Sequence, residues 1–162
     1  MIELNLQRIA DFVDGHILGD FATDSASLIV TGSVETDSRL VGAGSLFVAK
    51  PGEVTDGHNF LKQAKAAGAI AALVERPVPD VDIPQIQVAD AVLALGKLAK
   101  AVLALVRSET DLKVVGITGS NGKTTTKNML RAILSTQGET IAPIESYNNE
   151  VGAPISVLKV DR

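Results

Sequence analysis

Hydrophobic and polar positions change period several times along this chain, and each change marks an element. Leu6, Ile9, Ala10 and Val13 fall on one face at helical spacing, with Asn5 as N-cap and Gly15 as the stop. Residues 15–27 are rich in Gly, Asp and Ser and read as loop. Residues 28–34 read as a strand. The polar loop Thr36-Asp37-Ser38-Arg39 and a Gly42-Ala43-Gly44 turn lead to a compact apolar strand at 45–49. Residues 51–59 form a second polar loop. A helix at 60–67 follows, ended by Gly68. Two more strands, 69–75 and 85–88, flank a connection stiffened by Pro77, Pro79 and Pro84. Asp90 caps a long helix whose Val92, Leu95, Ala99, Val102 and Val106 share a face.

The polar stretch 107–111 then reads as a joint. It divides a first α/β domain, 1–108, from the beginning of a second, 109–162. Past the joint, the β-branched run Val114 to Ile117 predicts a buried strand. Residues 124–137 predict a helix, with Met129, Leu130, Ile133 and Leu134 on one face and Gly138 as its stop. Residues 140–144 read as a strand and 145–150 as loop. Strands and helices alternate throughout, which indicates α/β architecture. A sheet begun at 114–117 needs further strands to be covered on both faces, so the second domain is expected to be incomplete.

The junction between that strand and helix carries the candidate chemistry. Gly119 and Gly122 let the backbone wrap tightly, and the helix that follows adds partial positive charge at its N-terminus. Lys123 would place an ammonium beside the β- and γ-phosphates of a nucleotide, and Thr124 a hydroxyl on Mg²⁺. The strict P-loop spacing fails, because Ile117 stands where the first glycine is required; Gly-x-x-Gly-Lys-Thr after an apolar run remains. A dinucleotide loop needs Gly-x-Gly-x-x-Gly, which is absent. A glycine turn with a surface lysine is the plain alternative.

Composition narrows the rest. Of 162 residues, 46% are apolar and 21% charged, a globular balance, and a net charge of −4 gives no nucleic-acid footprint. Aromatic residues at 3% argue against base-stacking platforms. With no cysteine, disulfides and thiolate metal sites are excluded. The N-terminus lacks a signal-peptide pattern, and the apolar run 91–106 is interrupted by Lys97 and Lys100, so no membrane span is expected and a cytoplasmic location is the default.

The sequence from Gly116 to Lys127, Gly-Ile-Thr-Gly-Ser-Asn-Gly-Lys-Thr-Thr-Thr-Lys, resembles the ATP loop of the Mur ligases, the ATP-dependent amide ligases of peptidoglycan precursor synthesis. Tyr147-Asn148-Asn149-Glu150-Val151-Gly152-Ala153-Pro154 resembles the asparagine-rich segment that follows this loop in the branch adding D-Ala-D-Ala. Asp37-Ser38-Arg39, Gly44 to Ala49, and Gly52-Glu53 with Asp56-Gly57-His58 resemble the family's UDP-substrate domain.

The resemblance implies a UDP-substrate-binding α/β domain followed by the first part of a P-loop ATPase domain. It implies an ATP- and Mg²⁺-dependent ligase, monomeric at full length, that activates the carboxylate of UDP-MurNAc-tripeptide as an acyl phosphate and joins it to D-Ala-D-Ala. The metal-binding Glu and His, the carbamylated lysine and the dipeptide-binding domain of the family have no counterpart in these residues, so the chain is expected to be an inactive part. By the same resemblance, Thr118, Gly119, Ser120, Asn121, Gly122, Lys123 and Thr124 are the ATP-site residues, with Lys123 and Thr124 catalytic and Thr124 on the metal. Ser38, Arg39, Glu53, Thr55, Asp56, His58, Asn148 and Asn149 are the UDP-substrate candidates. Several of these, and Asp37 beside them, have a rival role: turn capping for Asp37 and Asp56, a surface ion pair for Arg39, a helix start for His58, a left-handed turn for the asparagines. Three competing functions stand beside this one: the diaminopimelate- or lysine-adding ligase of the family, a stand-alone P-loop nucleotide-binding module, and a UDP-sugar-binding module using only the first half.

Overall fold

The computed structural model describes residues 1–52, 55–143 and 150–161. Its centre is a five-stranded sheet in the order β2-β7-β6-β5-β4, built from β2 (His16–Ile17), β4 (Val34–Glu35), β5 (Ser45–Ala49), β6 (Ala69–Val74) and β7 (Gln85–Gln87). Strands β4 to β7 are mutually parallel, and β2 closes the edge antiparallel to β7. A two-stranded antiparallel pair, β1 (Leu4–Asn5) with β3 (Ile29–Val30), lies apart from it.

Two cores cover the two faces. On β5, Leu46 and Val48 enter one core while Phe47 and Ala49 enter the other, as the two-residue period of a strand requires. On β6 the alternation slips by one residue: Ser45 pairs with Ala69 but Leu46 with Ala71, so Ile70 is the extra residue of a bulge. The first core packs helices α1 (Leu6–Val13) and α3 (Ala91–Glu109) on the sheet; the second packs α2 (Leu61–Ala66). Asn5 accepts the Arg8 N–H at 2.8 Å and Asp90 the Leu93 N–H at 2.8 Å, so α1 and α3 both have the side-chain caps expected of them.

Several local expectations change. The left-handed residue ending α1 is Asp14, at φ 53°; Gly15 serves instead as a close approach, since a Cβ there would lie 2.6 Å from Ile86. The stretch 15–27 holds β2 and a 3-10 turn (Gly19–Ala22) rather than loop alone. The expected strand at 28–34 divides into β3 and β4, which join different sheets. The break falls at Gly32, whose N–H and that of Thr31 both donate to the Gly44 carbonyl and whose absent Cβ lets the chain pass Ala43 to Ser45.

Beyond α3 the differences grow. Residues 114–117 form no strand: Val114 and Val115 are 56% and 60% exposed, and among the described residues no strand lies beside them to complete a ladder. Helix α4 (Lys123–Leu134) forms, but buries none of its residues. Residues 140–143 are not a strand, and 144 together with 145–149 lies outside the described residues. A further helix, α5 (Gly152–Val157), packs against α3, and Leu158 and Val160 just after it are buried in the first core.

Candidate functional site

Two places carry the candidate residues. The first is the loop from Thr118 to Thr124. Gly119 at φ 145° and Gly122 at φ 79° occupy backbone conformations that side-chain-bearing residues rarely adopt. Lys123 opens α4, and its ammonium donates back across the loop to the Gly119 carbonyl at 2.6 Å. Unlike α1 and α3, α4 has no side-chain cap on its N-terminal N–H groups. An uncapped helix N-terminus behind a glycine turn, with a lysine over it, suits a phosphate. Thr118, Ser120, Asn121 and Thr124 are exposed around it, and the Thr124 hydroxyl makes no hydrogen bond among the described residues. That hydroxyl is a chemically suitable donor to Mg²⁺.

The second place is the carboxyl edge of the parallel sheet, where open α/β sheets gather ligands. Ser38 lies past β4; Thr55, Asp56 and His58 lie past β5. These four and Arg39 therefore leave adjacent strands at the same end of the sheet. Ser38 is buried, and Arg39 is exposed, its guanidinium donating to both oxygens of Asp37, to Oδ1 at 2.9 Å and to Oδ2 at 2.6 Å. That side-chain bond, with a second from the Arg39 backbone N–H, lowers the Asp37 carboxyl to about 2.

His58 is only 3% exposed. Its Nε2 accepts the Glu75 N–H at 3.0 Å, which fixes the ring proton on Nδ1, where it is donated to Asp56 Oδ1 at 2.6 Å. Asp56 also accepts the His58 backbone N–H at 2.9 Å and an Arg76 N–H at 2.5 Å. The backbone N–H of His58 comes first among the causes that hold the Asp56 carboxyl far below the usual carboxylate range; the imidazole and guanidinium add to it. His58 thus ties the loop after β5 to the end of β6, with both ring nitrogens engaged inside the chain. At the end of β4, Glu35 is half-buried and burial raises its carboxyl, against the Ser33 hydroxyl and Lys159. Glu53, Asn148 and Asn149 lie outside the described residues.

Sequence reasoning passed over Arg76 and Glu75. Glu75 Oε1 accepts the Ala91 N–H at 2.8 Å and so joins the end of β6 to the start of α3. One signal was present: Arg76-Pro77 after β6 repeats the pattern of Lys50-Pro51 after β5, a cation and a proline at the ends of neighbouring strands.

Comparison with known proteins covers both places. Residues 31–103 match the Mur ligase family, catalytic domain, and residues 117–162 match the Mur ligase middle domain. The UDP-N-acetylmuramoyl-tripeptide–D-alanyl-D-alanine ligase of Mycobacterium leprae is 43% identical over 185 aligned positions, covering 100% of this chain and 35% of that protein. The crystal structure of MurF from Acinetobacter baumannii superposes with a TM-score of 0.81 at 36% identity, over 98% of this chain and 33% of that one. MurF ligase from Thermotoga maritima, solved in complex with ADP, gives 0.68 at 34% identity over 82% of this chain and 30% of that one. The chain therefore spans about a third of the length of the relatives it matches.

Proposed function

We propose, for a chain that belongs to the Mur ligase family, that it carries the uridine-substrate and phosphate-loop portions of an ATP-dependent ligase joining D-Ala-D-Ala to UDP-MurNAc-tripeptide. The observation carrying this reading is the coexistence, on one chain matched end to end by relatives of that single name, of an uncapped glycine-loop helix start and a rim of polar groups at the carboxyl edge of a parallel sheet. The nearest rival, the diaminopimelate- or lysine-adding ligase, is disfavoured because relatives aligned over 98–100% of the chain carry the D-alanyl-D-alanine name.

The geometry supports the following roles. The turn Thr118 to Gly122 presents backbone N–H groups, and the α4 N-terminus adds its partial charge. Lys123 exchanges its bond to the Gly119 carbonyl for a phosphate oxygen, which moves an ammonium to where negative charge builds during phosphoryl transfer. Thr124 is the residue that would hold Mg²⁺. When bound, the ion neutralises the β- and γ-phosphate oxygens. At the sheet edge, Ser38, Thr55 and the Asp56 loop line the uridine end, with Arg39 beside them and His58 fixing the loop. In this reading, 1–108 is the substrate domain and 109–162 the start of the ATPase domain.

Ligation also needs a positioned amine, and positioning can supply roughly 7–11 kcal/mol of a barrier. The 162 residues are expected to bind nucleotides without releasing phosphate. The test is calorimetric titration of ADP and UDP into the chain and into Lys123→Ala, with phosphate release followed in the presence of UDP-MurNAc-tripeptide, D-Ala-D-Ala and ATP. Lys123→Ala should weaken ADP tenfold or more and leave UDP unchanged. ADP binding indifferent to Lys123, or substrate-dependent turnover near roughly 1 per second, would overturn the reading.

A further inference from the structure

The carboxyl edge of the sheet carries three cations at the ends of adjacent parallel strands: Arg39 after β4, Lys50 after β5 and Arg76 after β6. Two are already neutralised. Arg39 is held by both oxygens of Asp37, and Arg76 by Asp56. The same rim carries Glu35 and Glu75 as well, so its described carboxylates outnumber its cations. Lys50 has no hydrogen-bonded or ion-paired side-chain partner among the described residues, although it is half-buried. Its ammonium is thus the one of these three cations left without a paired carboxylate among the described residues, and so the one able to meet an anion on a rim that otherwise repels it.

Lys50 is also held in place by its backbone. Its N–H donates to the Val48 carbonyl at 3.1 Å, and its carbonyl accepts the Gly57 N–H at 2.9 Å. Gly57 comes so near that a Cβ there would sit 2.7 Å from the Lys50 carbonyl, so Lys50 and Gly57 form the closed neck of the loop carrying Thr55 and Asp56. Pro51 disfavours helical backbone at Lys50, which keeps the lysine extended at the end of β5. β5 is flanked on both sides by parallel strands, so this position is central to the edge rather than peripheral.

We propose that Lys50 is the residue that meets the diphosphate of the uridine nucleotide, and that Arg39 and Arg76, held by their aspartates, shape the rim instead of meeting the anion. The inference rests on the uridine reading of this edge given above. It is a contact of specificity: a free ammonium here favours a nucleotide diphosphate over the bare nucleoside.

The experiment titrates UDP and uridine into the wild-type chain, Lys50→Met and Lys50→Arg by calorimetry, with backbone NMR shifts locating the response. The wild type is expected to bind UDP more tightly than uridine, with shifts at 36–39 and 55–58. Lys50→Met should weaken UDP about tenfold and leave uridine unchanged, and Lys50→Arg should restore most of the loss. Unchanged UDP affinity in Lys50→Met, with the shifts still at this rim, overturns the role of Lys50 and leaves the uridine reading standing. An equal loss for UDP and uridine also overturns it, because Lys50 would then be packing the pocket. Shifts absent from this rim in the wild type overturn both.

Discussion

Leu158 follows the phosphate-loop region in sequence, yet it is 2% exposed inside the core that α1, α3 and the sheet share. Truncation to alanine is therefore expected to weaken the whole N-terminal unit. A Leu→Ala change at a fully buried site costs about 2–5 kcal/mol, against a typical total stability of about 5–15 kcal/mol for a domain. With a urea slope of about 2 kcal/mol per molar, a loss near 3 kcal/mol lowers the unfolding midpoint by about 1.5 M. The assay is urea unfolding followed by circular dichroism, with amide exchange read on α1 and α3. Met129→Ala is the control: Met129 is 63% exposed on α4, and its loss should leave the midpoint within about 0.3 M. If Leu158→Ala also leaves the midpoint there, and exchange rises only in α5, the C-terminal turn is an appendage and the argument from burial fails. The outcome bears on the domain division as well. A large effect would mean that residues from Val151 onward belong physically to the unit that ends at Glu109, with the phosphate loop emerging between them.

Two further outcomes follow from the carboxyl edge. Gly57→Ala should destabilise the fold by about 1–3 kcal/mol, since the new methyl would press on the Lys50 backbone; a melting temperature equal to wild type would contradict the contact. Asp37 and Asp56 both titrate below their ordinary 3.8 in the folded chain, Asp37 at about 2, so the stability they add is present above about pH 4 and lost as pH falls toward 2. Asp56→Asn should lower stability at pH 7 and flatten that acid limb; thermal scans from pH 7 to 2 in which both proteins lose stability in parallel would rule out the Asp56 contribution.

The first 109 residues were largely legible because most of their elements are specified locally. Asn5 and Asp90 cap the helices they precede, and the uniformly apolar β5 announces a strand buried on both faces. Where the reading failed, the cause was a partner distant in sequence. Nothing near residue 32 shows that Gly32 must pass Ala43 to Ser45, and that passage is what divides β3 from β4. His58 does sit at a helix start, in the 3-10 turn Gly57–Phe60, but its tie to Glu75, seventeen positions on, whose N–H its Nε2 accepts, could not be read locally. The run at 114–117 has the composition of a strand, but a strand exists only as part of a ladder, and among the described residues none stands beside it. The glycine loop was legible for the opposite reason: its positive φ angles and the helix behind it are properties of adjacent residues.

The order of strands β4 to β7 in the sheet is also their order in the chain, and this makes the parallel part of the sheet local in a topological sense. Val34 pairs with Leu46, Leu46 with Ala71, and Leu73 with Ile86, so each new strand finds its neighbour after a short span of chain. The seating of α5 on α3 is different. It closes a span of about forty residues, the whole phosphate-loop excursion, and for a flexible chain such a closure costs about 1 kcal/mol more entropy than one of about twelve. Strands β4 to β7 can therefore assemble one after another, whereas the return of the chain to its first core closes a longer span than any pairing among them and is expected to open before they do.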